Sequence, residues 1–143
     1  MTVKISKSIL NVFGLIDIIY GVFEIIFSIL AFADGGLLAS GQVAAEEGVT
    51  GPMVILVGVV FLLLGAFSLV EGILSRRAAK DPSKAKPAFV FAIISLVLAA
   101  VGLVNTLTGS GSPVSAIVSV VINVLLVVAA NTLRKEGNED LAA

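Results

Sequence analysis

The hydrophobic positions of this chain fall into four long runs separated by short polar segments. An α-helix rises about 1.5 Å per residue and the hydrocarbon core of a bilayer is about 30 Å thick, so a run of about 20 apolar residues predicts a transmembrane helix. The four runs cover residues 9–33, 52–77, 87–108 and 113–135. The pattern therefore predicts an all-α integral membrane protein: one domain, an antiparallel bundle of four transmembrane helices, with a polar C-terminal tail at residues 136–143.

The first run differs from the others because it contains two acidic residues, Asp17 and Glu24. They are seven residues apart, which places them on one face of a helix. Counted at 1.5 Å per residue from the beginning of the run, Asp17 is expected about 13 Å into the membrane and Glu24 near its midplane. A charged side chain at the bilayer centre costs roughly 2.5–3.5 kcal/mol. Acids at such positions are candidates for an ion or ligand site.

Other polar side chains at similar depths are predicted to complete this site. They are Tyr20, Ser68, Ser95 and Asn123. In one interpretation the two acids bind a proton, a metal cation or a cationic small molecule. In another they stay protonated and donate or accept hydrogen bonds across helices, which is a structural task. A third acid, Glu71, lies five residues before Arg76 and is interpreted as an ordinary acid at the end of a helix.

Small residues recur along one face of each run at intervals of three, four or seven residues. Such stripes let membrane helices approach closely, and we expect these residues to pack helix against helix. They are Gly14, Gly21, Ser28, Gly58, Gly65, Gly72, Ala92, Ser95, Ala99, Gly102 and Ser119.

The basic residues are confined to three places, although the net charge is only -1. All nine lie at the N-terminus, between the second and third runs, or after the fourth run. Because cytoplasmic loops hold the excess of Lys and Arg, both termini and the loop at residues 76–86 are predicted to be cytoplasmic, as in a bacterial-type plasma membrane. The loop at residues 34–50, with the pair Glu46 and Glu47, is then outside and solvated.

Composition narrows the possible functions further. The chain is 58% hydrophobic and 13% charged, whereas about a quarter of the residues in a soluble domain are charged. It contains no Cys and no His, which excludes thiol chemistry and the usual zinc ligands. No nucleotide-binding or catalytic-triad motif occurs, so we expect neither an enzyme, nor a cofactor, nor a nucleic-acid partner.

Two functions remain open from the sequence. The first is an oligomeric transporter or channel-like protein that binds a proton, a cation or a cationic small molecule through the acids of the first helix. The second is a membrane interaction protein, such as a partner subunit, an immunity-type protein or a scaffold. The expected partners are the lipid bilayer and either a second copy or another membrane protein.

Overall fold

The computed structural model describes residues 1–44, 48–109 and 113–142, and this part of the chain is helical with no strand. The helices are α1 (Val3–Ala39), α2 (Gly51–Lys80), α3 (Ala85–Thr108) and α4 (Pro113–Ala142), with a 3₁₀ turn at Pro82–Lys84 before α3. The predicted all-α class is confirmed. Glu46 and Glu47, which were predicted to lie in an outer loop, and residues 110–112, between the third and fourth apolar runs, lie outside the described residues.

The helices are longer than the apolar runs that predicted them. Helix α1 has 37 residues, because the polar residues flanking its run are compatible with helix and extend it at both ends. Helix α4 reaches Ala142, so residues 136–142 of the predicted tail are helical. Within the described residues, all four helices contain a segment long and apolar enough to cross a membrane.

The chain divides into two compact units, and α1 and α2 each contribute to both. The four-helix unit comprises residues 1–16 and 71–143, and the two-helix unit comprises residues 17–70. The four-helix unit thus contains the beginning of α1, the end of α2 and all of α3 and α4. The two-helix unit contains the rest of α1 and α2.

The four-helix unit has a core made mainly of alanine. Short side chains let the helices approach closely, so that backbone and methyl groups fill the interior. Leu10 and Leu133 are the largest fully buried apolar side chains, and the remaining core residues are Ala78, Ala79, Ala85, Ala88, Ala92, Leu126, Ala129 and Ala130. At its edge the guanidinium of Arg134 lies 4.3 Å from the ring centroid of Phe89, which is a cation–π contact.

The turn between α2 and α3 is organised by Asp81. Its Oδ1 accepts hydrogen bonds from the backbone N–H of Ser83 at 3.1 Å and from the Ser83 hydroxyl at 2.6 Å. Its Oδ2 lies 3.1 Å from Nζ of Lys84. The hydrogen bond from the Ser83 side chain, with that from Lys84, holds the pKa of Asp81 below its ordinary value. Asp81 thereby caps the 3₁₀ turn and pairs with the basic residue that follows it.

In the two-helix unit, α1 and α2 pack antiparallel with small residues facing small residues every seven positions. The pairs are Gly21 with Gly65, Ser28 with Gly58, and Gly35 with Gly51. A Cβ atom added at Gly21 would lie 2.7 Å from the carbonyl oxygen of Gly65, so the two backbones are in contact there. In the four-helix unit, a Cβ atom added at Gly14 would likewise lie 2.8 Å from the carbonyl oxygen of Gly72.

Candidate functional site

Glu24 is held at the contact between α1 and α2 in the two-helix unit. The hydroxyl of Ser68 donates a hydrogen bond to its Oε2 at 2.9 Å. A Cβ atom at Gly65 would lie 3.1 Å from the Cβ of Glu24, so the absence of a side chain at Gly65 is what lets the helices come this close. The structure therefore brings together two residues that the sequence proposed for the site.

A cavity of about 450 Å³ opens beside this carboxyl group. Its lining is apolar and aromatic apart from the carboxyl group and the phenol hydroxyl, and consists of Ile19, Tyr20, Phe23, Glu24, Phe27 and Phe61. The rings of Phe27 and Phe61 are tilted against each other with their centroids 6.1 Å apart, which joins α1 to α2 across the cavity. Its volume is within the range of small-molecule sites, about 300–1,000 Å³.

The chemistry of this lining is suited to an organic cation. Aromatic faces attract cations through their quadrupole, and desolvated contacts of this kind are worth about 2 kcal/mol. One carboxylate beside four aromatic rings supplies both a counter-charge and an apolar surface. Tyr20, which is 64% exposed, lies at the rim with its phenol ring accessible to an occupant.

Asp17 is the second acid proposed from the sequence, and it is half-buried at the start of the two-helix unit. Its Oδ2 is shielded from solvent. It does not line the cavity beside Glu24. Its assignment to the proposed site rests on the sequence, since it lies in the first apolar run two helical turns before Glu24.

Glu71 was missed as a site residue by the sequence interpretation, and the expectation of an ordinary acid at a helix end is wrong. Its side chain is buried in the four-helix unit, with only 6% of its surface exposed. The hydroxyl of Ser95 on α3 donates a hydrogen bond to its Oε2 at 2.5 Å. Its Oε1 is buried and has no hydrogen-bond partner among the described residues. The sequence did contain an indication, because Ser68, Glu71 and Ser75 follow each other in steps of three and four residues.

Ser95 and Asn123, the remaining members of the predicted site, belong to the four-helix unit. The hydroxyl of Ser95 donates to Glu71, an acid that the sequence analysis did not include in the site. The amide of Asn123 donates to the backbone carbonyl of Ser119 on its own helix at 2.9 Å. In the described structure Asn123 is therefore bonded within α4, whereas Glu24, Tyr20 and Ser68 lie together in the two-helix unit.

The residues predicted to pack helix against helix divide into two groups. Gly14, Gly21, Ser28, Gly58, Gly65, Gly72 and Ala92 are buried, and Ser95 and Ala99 are half-buried. Gly102 and Ser119 are exposed, and a Cβ atom at Gly102 would have no atom of another residue within 4 Å among the described residues. The stripe on α2 thus marks a contact within this chain, whereas Gly102 marks none.

The described acids were also compared with the arrangement that a metal site requires. Among the described residues, no group of three or more Asp, Glu, His or Cys side chains converges in a way that would hold a metal ion. The carboxyl groups of Glu24 and Glu71 are each paired with a serine hydroxyl instead.

No protein-family model matches this chain, and neither the curated proteins nor the solved structures include one that matches it significantly.

Proposed function

We propose that the protein crosses a membrane four times and binds a lipophilic organic cation at Glu24, as part of a transport function. The observation that supports this best is the cavity of about 450 Å³, in which the Glu24 carboxyl group lies among Tyr20, Phe23, Phe27 and Phe61. A hydrophobic cation is the ligand class that uses both the charge and the rings.

The surrounding charges favour a cation as well. No Lys or Arg lies near the middle of any of the four apolar runs, so no side chain of opposite charge is available there for a carboxylate of α1. In the membrane an ionised Glu24 requires a cation, and a protonated Glu24 does not. Competition between a proton and an organic cation for one carboxyl group is a simple basis for exchange transport.

We further propose that the protein acts as a homo-oligomer. Tyr20, Phe23 and Phe27 are each more than half exposed, so the cavity is open on one side in a single chain. A second copy would enclose a ligand that one pair of helices only half surrounds. Cross-linking in native membranes followed by mass measurement would determine the oligomeric state.

The substitution Glu24→Gln tests the cation site. It should weaken binding of tetraphenylphosphonium, measured calorimetrically on purified protein in neutral detergent, by about tenfold or more, because a charge-assisted contact is worth about 1.5–3 kcal/mol. Flux of this cation into liposomes should fall in parallel. Asp34→Asn is the matched control, since it removes an exposed carboxyl group of the same helix that does not line the cavity. Equal binding by both variants and the wild type would exclude Glu24 as the site.

The second candidate function is a membrane interaction protein that transports nothing. It is favoured by the two hydrogen bonds from serine to acid, Ser68 to Glu24 and Ser95 to Glu71, which give each carboxyl group a structural role. In that case Glu24→Gln should leave thermal stability unchanged, since the amide oxygen still accepts from Ser68. Wild-type liposomes should then show no flux, and a partner should co-purify from native membranes.

The orientation of the chain is proposed from the distribution of its basic residues, with both termini and the segment at residues 76–86, where α2 ends and α3 begins, in the cytoplasm. The absence of cysteine permits clean labelling. In intact cells, a membrane-impermeant maleimide should label Ser40→Cys but not Asn138→Cys; both positions are exposed. Labelling of Asn138→Cys alone would invert the proposed orientation.

A further inference from the structure

A second cavity, of about 350 Å³, lies in the four-helix unit between the beginning of α1 and the end of α2. It differs from the aromatic cavity in that two of its lining residues are lysines and none is aromatic. Its lining consists of Lys7, Ser8, Asn11, Ala79 and Lys80. Two lysines, a serine and an asparagine therefore border one space, together with the buried Ala79.

The positive charge of this cavity is not neutralised within the described structure. Neither Lys7 nor Lys80 forms an ion pair with a described residue. Asp81, the acid next to Lys80 in the sequence, is paired with Lys84 instead. The cavity therefore retains the charge of both lysines and is suited to an anion.

Asn11, which lines the cavity, is hydrogen-bonded to Arg76, which does not line it. The Nε of Arg76 donates to the Oδ1 of Asn11 at 3.3 Å. This bond uses the acceptor oxygen of the Asn11 amide and leaves its NH₂ group as a donor. Four of the residues that line the cavity, Lys7, Ser8, Asn11 and Lys80, thus carry groups that can donate hydrogen bonds.

The position of the cavity along the helices suggests the source of the anion. Lys7 lies two residues before the first apolar run, and Lys80 lies three residues after the second. If the helices span a membrane, as proposed above, the cavity lies where the hydrocarbon core meets the headgroups. Basic pockets between transmembrane helices at this level bind anionic headgroups.

We propose that this cavity binds the phosphate group of an anionic phospholipid of the cytoplasmic leaflet. The ammonium groups of Lys7 and Lys80 supply the charge, and Ser8 and Asn11 donate hydrogen bonds to the phosphate oxygens. Free phosphate has the same chemistry but lacks the acyl chains, which would lie along the apolar parts of the helices. The inference rests on the membrane insertion proposed above and is independent of what Glu24 binds.

The experiment titrates purified full-length protein in a neutral detergent with dihexanoyl phosphatidylglycerol and, separately, with inorganic phosphate. The double variant Lys7→Gln/Lys80→Gln should bind the lipid about tenfold more weakly than the wild type, since each lysine near an anionic lipid contributes severalfold to affinity. Lys86→Gln/Lys135→Gln is the matched control, because it removes two exposed lysines that do not line the cavity. It should stay within twofold of the wild type.

Three outcomes would overturn the proposal: no binding of phosphatidylglycerol by the wild type, equal losses in the two double variants, or inorganic phosphate binding as tightly as the lipid. Lys7→Arg/Lys80→Arg keeps both charges and should retain binding, which separates loss of charge from loss of fold. Tetraphenylphosphonium binding should be unchanged in every lysine variant. Failure of the lipid site therefore leaves the Glu24 proposal standing, and the reverse also holds.

Discussion

Gly21→Ala should destabilise the protein by about 1–3 kcal/mol, although alanine is the better helix former by about 1 kcal/mol. The added methyl group would lie 2.7 Å from the carbonyl oxygen of Gly65 and 2.8 Å from the backbone nitrogen of Leu69. Backbone atoms cannot rotate away as the end of a side chain can, so α1 and α2 must separate. The measurement is the unfolding midpoint of purified protein in detergent.

Gly102→Ala is the matched control for this prediction. It makes the same chemical change in a helix of similar apolar character, but the new methyl group would meet no other residue within 4 Å among those described. It should leave stability unchanged or raise it by up to about 1 kcal/mol, the gain in helix propensity. If both variants unfolded at the wild-type temperature, the close approach at Gly21 would be wrong.

Ser95→Ala should cost about 1–3 kcal/mol of stability, because it removes the hydroxyl that satisfies a buried carboxyl group. Glu71 would then have neither carboxyl oxygen bonded among the described residues, since its Oε1 already lacks a partner there. Ser119→Ala is the control: it removes an exposed serine hydroxyl of α4 and should be close to neutral.

A double-mutant cycle separates the Ser95 hydrogen bond from general packing. Glu71→Leu removes the group that Ser95 satisfies, so Ser95→Ala should cost little in that background. The difference between the two backgrounds measures the coupling between Ser95 and Glu71. An equal cost of Ser95→Ala in both backgrounds would show that the hydroxyl acts on something other than this acid.

The sequence predicted the helical class well because apolar runs of more than 20 residues leave the backbone few alternatives. It was less informative about helix ends. Lys4 and Lys7 are polar but compatible with helix. The apolar run therefore begins at Ile9, whereas α1 begins at Val3. For the same reason α4 continues through residues 136–142, which were predicted to form a polar tail.

The site was predictable in part. Tyr20, Phe23 and Phe27 lie three and four residues apart, so their shared face beside Glu24 follows from helix geometry. Phe61 comes from another helix, and no local pattern assigns it to the same cavity. Glu71 was misjudged because Arg76 is near in sequence, whereas its partner Ser95 is provided by the packing of α3.

The small-residue stripes show a similar limit. Gly65 and Gly102 occur in stripes of the same kind, yet among the described residues Gly65 touches the backbone of another helix and Gly102 does not. A stripe of small residues permits a close approach between helices, but it does not determine which helix packs against it.

The seven-residue repeat of small residues in the two-helix unit is compatible with a second alignment of its two helices. If α2 slid by one repeat along α1, Gly21 would face Gly58 and Ser28 would face Gly51, so small residues would again face small residues. The backbone contacts alone would barely distinguish the two alignments. The bond between Ser68 and Glu24 would be lost, however, and the acid would come near Phe61 instead. A single buried polar group fixes alignment in coiled coils by the same penalty. The hydrogen bond between Ser68 and Glu24 therefore favours the observed alignment of this hairpin over the one shifted by seven residues.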